Sequence, residues 1–199
     1  MTEPGCSLCG RPFEEKNQIS HPCGECLKDP PTFDWHRSCA VYEEPLKTFL
    51  HDFKFRTRFS IARLASEWIF QKQRERIQQM DFLIPVPLGL DRLRQRGFNQ
   101  SLEIAKKLSK QTGQTILNSL HKKKGILPQT TLAREQRLSN LKKAFFWKGD
   151  PDCVKGQKIL LIDDIYTTGA TLDACARVLR SLGALEIGAI TVAQGVWHR

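Results

Sequence analysis

The chain has 199 residues, with 31 Lys and Arg against 21 Asp and Glu, a formal net charge of +10. Hydrophobic residues make up 40% and charged residues 26%, which excludes a largely disordered chain; no apolar run approaches the roughly 18 residues of a membrane span. The opening Met1-Thr2-Glu3-Pro4-Gly5 has neither the basic start nor the apolar core of a secretory signal, so a cytoplasmic protein is expected.

The first segment is read from its cysteines. Cys6-x-x-Cys9 and Cys23-x-x-Cys26 are two C-x-x-C pairs with 13 residues between them. Two thiolates at that spacing grip one ion from a tight turn, and a second such turn completes a tetrahedron, the ligand set of structural zinc. Gly10 and Gly24, each following a Cys, let the chain fold back around the metal. His21 is an alternative ligand, although four thiolates suffice. Cys39, Cys153 and Cys175 read as small buried residues. Pro30-Pro31 marks a boundary, giving a zinc-ribbon module over 1–36 and a second domain over 37–199.

Further along, Arg37–Tyr42 reads as a short strand and Glu44–Phe55 as a helix. Ile61, Leu64, Ala65, Trp68 and Ile69 recur at helical spacing. Phe82-Leu83-Ile84 is a strand stopped by Pro85-Val86-Pro87; Phe98, Leu102, Ala105 and Leu108 mark another helix, closed by Gly113. Ile116-Leu117 begins a strand. Residues 121–149 are expected to form a mobile lid leading into a short helix or strand. Lys158–Ile162 is a buried strand, Asp163–Thr171 a loop, Thr171–Leu182 a helix and Ile187–Val192 a last strand. Strands alternating with helices give the fold class α/β, a mainly parallel sheet covered on both faces.

Charge is segregated along this order. Residues 1–46 hold 4 basic and 8 acidic side chains, residues 47–76 hold 8 and 3, and residues 91–124 hold 9 and 2. The positive excess in the middle points to an anionic partner, for which a phosphorylated metabolite and nucleic acid both qualify.

Ile159-Leu160-Leu161-Ile162-Asp163-Asp164-Ile165-Tyr166-Thr167-Thr168-Gly169-Ala170-Thr171 carries the most specific chemistry. Four apolar residues bury a strand, and two carboxylates emerge at its C-terminal end, where open α/β sheets bind ligands. Small and hydroxylated residues then enter a helix, so backbone N–H groups and the helix N-terminus can meet a phosphate. The carboxylates repel phosphate but accept hydrogen bonds from sugar hydroxyls or help to hold a cation. Phosphate and diol together describe a ribose 5-phosphate. A nucleotide hydrolase with a similar apolar-Asp-Asp strand would need G-x-x-x-x-G-K-[ST], which the chain lacks.

This segment resembles the phosphoribosyl pyrophosphate (PRPP) signature of type I phosphoribosyltransferases. A four-cysteine N-terminal module on such a domain resembles the ComF family, associated with natural competence and DNA uptake. Further segments fit that family: Asp52-Phe53-Lys54-Phe55; Ile84-Pro85-Val86-Pro87 leading to Arg92 and Arg96-Gly97-Phe98-Asn99-Gln100; and Gln129, Leu132, Arg137, Asn140, Ala144 and Phe145. The resemblance implies a type I phosphoribosyltransferase-like domain with a small zinc ribbon. It implies that Thr167, Thr168, Gly169, Ala170 and Thr171 hold the 5-phosphate. Asp163 and Asp164 become the catalytic acidic pair, facing the ribose with Mg²⁺ nearby. Lys54, Arg92 and Arg96 fall on the pyrophosphate side. The implied activity is transfer of phosphoribosyl from Mg²⁺-bound PRPP to an acceptor. Non-catalytic PRPP binding and single-stranded DNA binding are the alternatives, with a DNA-uptake helicase or another competence protein as partner.

Overall fold

The computed structural model describes residues 5–13, 19–55, 59–123 and 144–195. Near the N-terminus, Gly5 and Pro12 form an antiparallel bridge, and α1 (Gly24–Lys28) is a single short turn. The remaining elements run β1 (Trp35–Val41), α2 (Leu46–Phe55), α3 (Phe59–Gln78), β2 (Phe82–Pro85), α4 (Leu90–Arg96), α5 (Gln100–Thr112), β3 (Thr115–Ile116), β4 (Leu120–Lys122), β5 (Phe145–Trp147), β6 (Lys158–Tyr166), α6 (Ala170–Ser181) and β7 (Glu186–Gln194).

Five strands form one parallel sheet in the order β1-β7-β6-β2-β3. The central strands are buried on both faces, so β6 reads as the unbroken apolar run Ile159–Ile162 rather than as an alternation. Ile159 and Leu161 pack with α6, β5 and the cysteine segment on one face. Leu160 and Ile162 pack with α2, α3 and α5 on the other. The expected covered α/β sheet is what forms.

The structure differs from the sequence reading or adds to it at four places. The segment Asp163–Thr171 is not all loop: β6 continues through Tyr166, because Asp163, Ile165 and Tyr166 pair with Thr191, Ala193 and Gln194 of β7. The loop proper is Thr167–Gly169, and α6 starts at Ala170. The boundary at residue 36 falls inside β1, and Cys6, Cys9 and Cys26 share one core cluster with Ile159 and Leu161. The module is therefore docked on the sheet. Cys39 and Cys175 are buried, but Cys153 is half-exposed in a 3₁₀ turn, its Sγ donating to the Asp150 carbonyl at 2.8 Å. Finally, α4 falls between motifs that showed no helix; it buries none of its residues and ends on Gly97 at φ 78°.

Of the expected lid, residues 124–143 lie outside the described residues, and with them Gln129, Leu132, Arg137 and Asn140. The flanks are described: β4 and β5 form an antiparallel ribbon, pairing Lys122 with Phe145 and Leu120 with Trp147. Among the described residues, no helix is long and apolar enough to cross a membrane.

Candidate functional site

The site lies where β2 ends beside β6, Pro85 paired with Ile162. Beyond that point β2 yields the Val86–Gly89 loop and β6 yields the acidic pair and Thr167–Gly169. Asp163 Oδ1 accepts from Ser101 Oγ at 2.8 Å and from the Asp164 backbone N–H at 2.9 Å. Ser101 is brought there by the start of α5, where Asn99 caps the helix by accepting from the Ser101 N–H at 3.1 Å. The same Asn99 side chain donates to the Val86 carbonyl at 3.0 Å, so one residue joins the post-β2 loop to the helix that holds Asp163.

Asp164 Oδ2 meets Lys54 Nζ of α2 at 2.7 Å, with the two side chains 14% and 20% exposed. Burial, and then the neighbouring Asp164 carboxylate, push the Asp163 carboxyl up to about 7, against the lowering effects of Ser101, the Asp164 N–H and Lys54. Two carboxylates this close in a sheltered place resist joint ionisation and favour a partner that brings positive charge or hydroxyl donors.

Around the pair lie further cations. Arg96, at the end of α4, donates to Gln100 Oε1 at 3.3 Å and sits over the Phe55 ring at 5.3 Å. Burial lowers its pKa, Asp164 works against that, and Arg92 adds to the lowering. Arg92 itself is exposed, though its charge acts on both Arg96 and Lys122. Lys122 on β4 is a cation that the motifs did not point to. Its pKa is lowered by burial and then by Arg92, and held up partly by Cys175 and then Asp163. Its stem lies 3.7 Å from where a Cβ on Gly89 would sit, so it reaches the post-β2 loop. The structure thus brings Lys54, Arg96 and Lys122 towards the acidic pair and leaves Arg92 at the rim.

The post-β2 loop, α4, α5 and the β4–β5 ribbon enclose a groove of about 770 Å³, lined by Pro87, Phe98, Lys106, Lys122, Lys123 and Lys148 among others. Its one acid, Glu103, is paired with Lys106 at 2.8 Å. The groove is cationic, and Asn99 and Lys122 are among the residues that line it.

The loop after β6 is shaped by Gly169. Its φ is +78°, and a Cβ there would fall 2.5 Å from the Tyr166 hydroxyl oxygen, so any side chain is excluded twice over. Thr167 and Thr168 are exposed, and Gly169 leads directly into the N-terminus of α6. A notch of about 20 Å³ is bounded by Asp163, Thr167, Gly169 and Thr171.

On the other side of Tyr166 is the cysteine cluster. The Sγ atoms of Cys6, Cys9, Cys23 and Cys26 lie within 4.8 Å of one another, and Cys9 and Cys23 are 3.9 Å apart. Four sulfurs about 2.3 Å from a tetrahedral zinc would be about 3.8 Å apart, so the group fits that ion closely. Cys6 Sγ accepts from the Cys23 and Cys9 N–H groups at 3.2 and 3.4 Å. Burial pushes the Cys6 thiol up, but those N–H groups outweigh it and bring it down to about 7. Burial pushes Cys9 up to about 12 and Cys26 higher still, a repulsion that a divalent cation relieves. His21 is exposed, its ring on Phe13 at 4.6 Å, apart from the four sulfurs.

Residues 60–196 match the family described as Phosphoribosyl transferase domain. The chain is 32% identical over 190 residues to Competence protein F of Haemophilus influenzae, covering 92% of this chain and 82% of that one. It is 27% identical over 195 residues to Competence protein ComFC of Bacillus subtilis, covering 94% and 76%. Among solved structures, a purine phosphoribosyltransferase from Pyrococcus horikoshii aligns with a TM-score of 0.41 at 20% identity, over 68% of this chain and 87% of that one.

Proposed function

The chain belongs to the phosphoribosyl transferase domain family and, within it, to the ComF group of competence proteins; from that premise we propose that this phosphoribosyltransferase-like protein binds Mg²⁺–PRPP and transfers its phosphoribosyl group during handling of incoming DNA. The observation that carries the reading is the acidic pair near the end of β6, followed two residues later by a turn through left-handed Gly169 into a helix N-terminus, with Lys54 paired to Asp164.

In this reading the 5-phosphate takes N–H groups from Thr167–Thr171 and the first turn of α6, whose leading donors have no partner within the helix. Asp163 and Asp164 accept from the ribose hydroxyls. The pyrophosphate end lies towards the Val86–Gly89 loop, where Arg96 and Lys122 meet it, and Lys54 passes from Asp164 to a phosphate oxygen. Bound with the ligand, Mg²⁺ neutralises charge that develops on the leaving group. The C1–oxygen bond breaks with its electron pair going to pyrophosphate, a bond from an acceptor nitrogen to C1 forms, and the acceptor proton leaves to solvent. Positioning and fixed charge supply most of the acceleration. Zinc in the cysteine cluster is structural.

The test is pyrophosphate release from Mg²⁺–PRPP with a panel of purine and pyrimidine bases. Release that needs one base and fails in Asp164→Asn is expected. Tight PRPP binding with no release on any base would favour a ligand-sensing accessory role; release unaffected by Asp164→Asn would overturn the assignment of the pair.

A further inference from the structure

We propose that Tyr166 is a positioning residue through which the cysteine cluster sets the geometry of the phosphate loop, so that filling either site strengthens binding at the other. The proposal rests on the reading of Thr167–Thr171 as a phosphate site.

The connection is short and made of packed groups. His36 Nδ1 donates to the Cys9 carbonyl at 2.8 Å, and the same carbonyl receives Gln194 Nε2 at 3.3 Å. The His36 ring is fully buried and stacks on Tyr166 with centroids 4.1 Å apart and planes 18° apart. Phe33 closes the group edge-on, 6.5 Å from both rings. At its far end Tyr166 places its hydroxyl and the ring edge that bears it under Gly169, with the hydroxyl oxygen 2.5 Å and the two nearest ring carbons 2.8 and 3.0 Å from where a Cβ would sit. Two side chains therefore separate a cysteine backbone from the glycine on which the phosphate loop turns.

A second route runs in parallel. The Thr32 N–H donates to Asp173 Oδ1 at 2.7 Å, and the Asp173 N–H donates to the Gly169 carbonyl at 2.8 Å. The chain leaving the cysteine segment is thus tied to the first turn of α6, on the same glycine.

Packed interiors transmit displacement because they have little free volume to absorb it. Four thiolates drawn to one ion hold the Cys6–Cys9 turn, and the Cys9 carbonyl with it, in one place. Thiols with no ion between them lack that clamp, which frees the turn, the His36–Tyr166 stack and the surface on which Gly169 rests. Linkage then makes the effect reciprocal: if the metal favours the phosphate-ready loop, a bound phosphate must favour the metal by the same factor.

The experiment times zinc transfer from the full-length protein to the chelating dye 4-(2-pyridylazo)resorcinol, with and without saturating ribose 5-phosphate, whose binding is measured separately by calorimetry. Protection of about fivefold or more is expected in the wild type, at the low end of usual coupling strengths. Tyr166→Phe, which keeps the ring, should retain it; Tyr166→Leu should lose it. A ligand that only stabilised the whole fold would protect Tyr166→Leu as well as the wild type, which would overturn the proposal. Should Tyr166→Leu not fold, Tyr166→Met reads the same outcome. Ribose 5-phosphate that binds without slowing zinc loss overturns the coupling alone, whereas failure to bind removes the phosphate site and both readings with it.

Discussion

Lys54 Nζ stands 2.7 Å from Asp164 Oδ2, so α2 closes over the end of β6 through one sheltered ion pair. Lys54 also helps to hold the Asp163 carboxyl down. Lys54→Met should therefore leave Asp163 harder to ionise. Mg²⁺–PRPP affinity is expected to fall about fivefold at pH 7, as when a carboxyl that must ionise moves from about 7 to about one pH unit higher, and to recover in part by pH 8.5. Isothermal titration over that range checks it, and an unmoved pH profile would speak against the pair's role.

Asp163 carries a stability signature of its own. An unfolded Asp titrates near 3.9, about three pH units below the folded value of about 7. The folded chain holds this proton more tightly between those limits, so the carboxyl costs stability progressively as pH rises from about 4 to about 7. Asp163→Asn keeps an oxygen for Ser101 and for the Asp164 N–H. It should melt above the wild type at pH 8, by about 2–4 °C for each kcal/mol relieved, and level with it at pH 4. Melting curves at the two pH values decide the point.

Gly169→Ala meets both a left-handed backbone and the Tyr166 hydroxyl. A loss of about 1–3 kcal/mol in stability is expected, with ribose 5-phosphate affinity down more than about tenfold. Gly156→Ala provides the comparison. Its φ is also positive, at +73°, but no atom lies within 4 Å of the added carbon, so it should cost stability without touching the ligand.

The cysteine cluster should return about one zinc per chain by metal analysis. Cys26→Ser is expected to lose the metal and to lower the melting temperature, because Cys6, Cys9 and Cys26 belong to the core cluster that includes Phe33 and Tyr166. Burial raises Cys9 and Cys26, so metal uptake must release protons, and affinity should fall as pH drops. Proton release measured in buffers of different ionisation enthalpy tests this.

The local shape of the candidate site was legible in the sequence wherever it depended on neighbours in the chain. Ile159–Ile162 followed by two acids and a Thr-Gly loop reads as strand, carboxylates and phosphate turn, and the two C-x-x-C pairs read as one metal site. What could not be read depends on partners distant in the chain. Asp163–Tyr166 looks like loop because its residues are polar or mixed; it is strand because β7 supplies its ladder. Ser101 gives no local sign that it will face Asp163, nor Tyr166 that it will lie between a cysteine turn and Gly169. Lys122 sits in the run His121-Lys122-Lys123-Lys124, whose sequence gives no sign that Lys122 will be partly buried on a strand paired with β5.

The central claim is that the acidic pair and the Thr167–Thr171 loop hold Mg²⁺–PRPP. Calorimetric titration of Mg²⁺–PRPP into the wild type and into Asp163→Asn/Asp164→Asn addresses it most directly. One site per chain is expected in the wild type, and affinity at least about a hundredfold weaker in the double variant, as for the loss of two charged hydrogen-bond acceptors. Absent binding, or equal binding by both proteins, would contradict it.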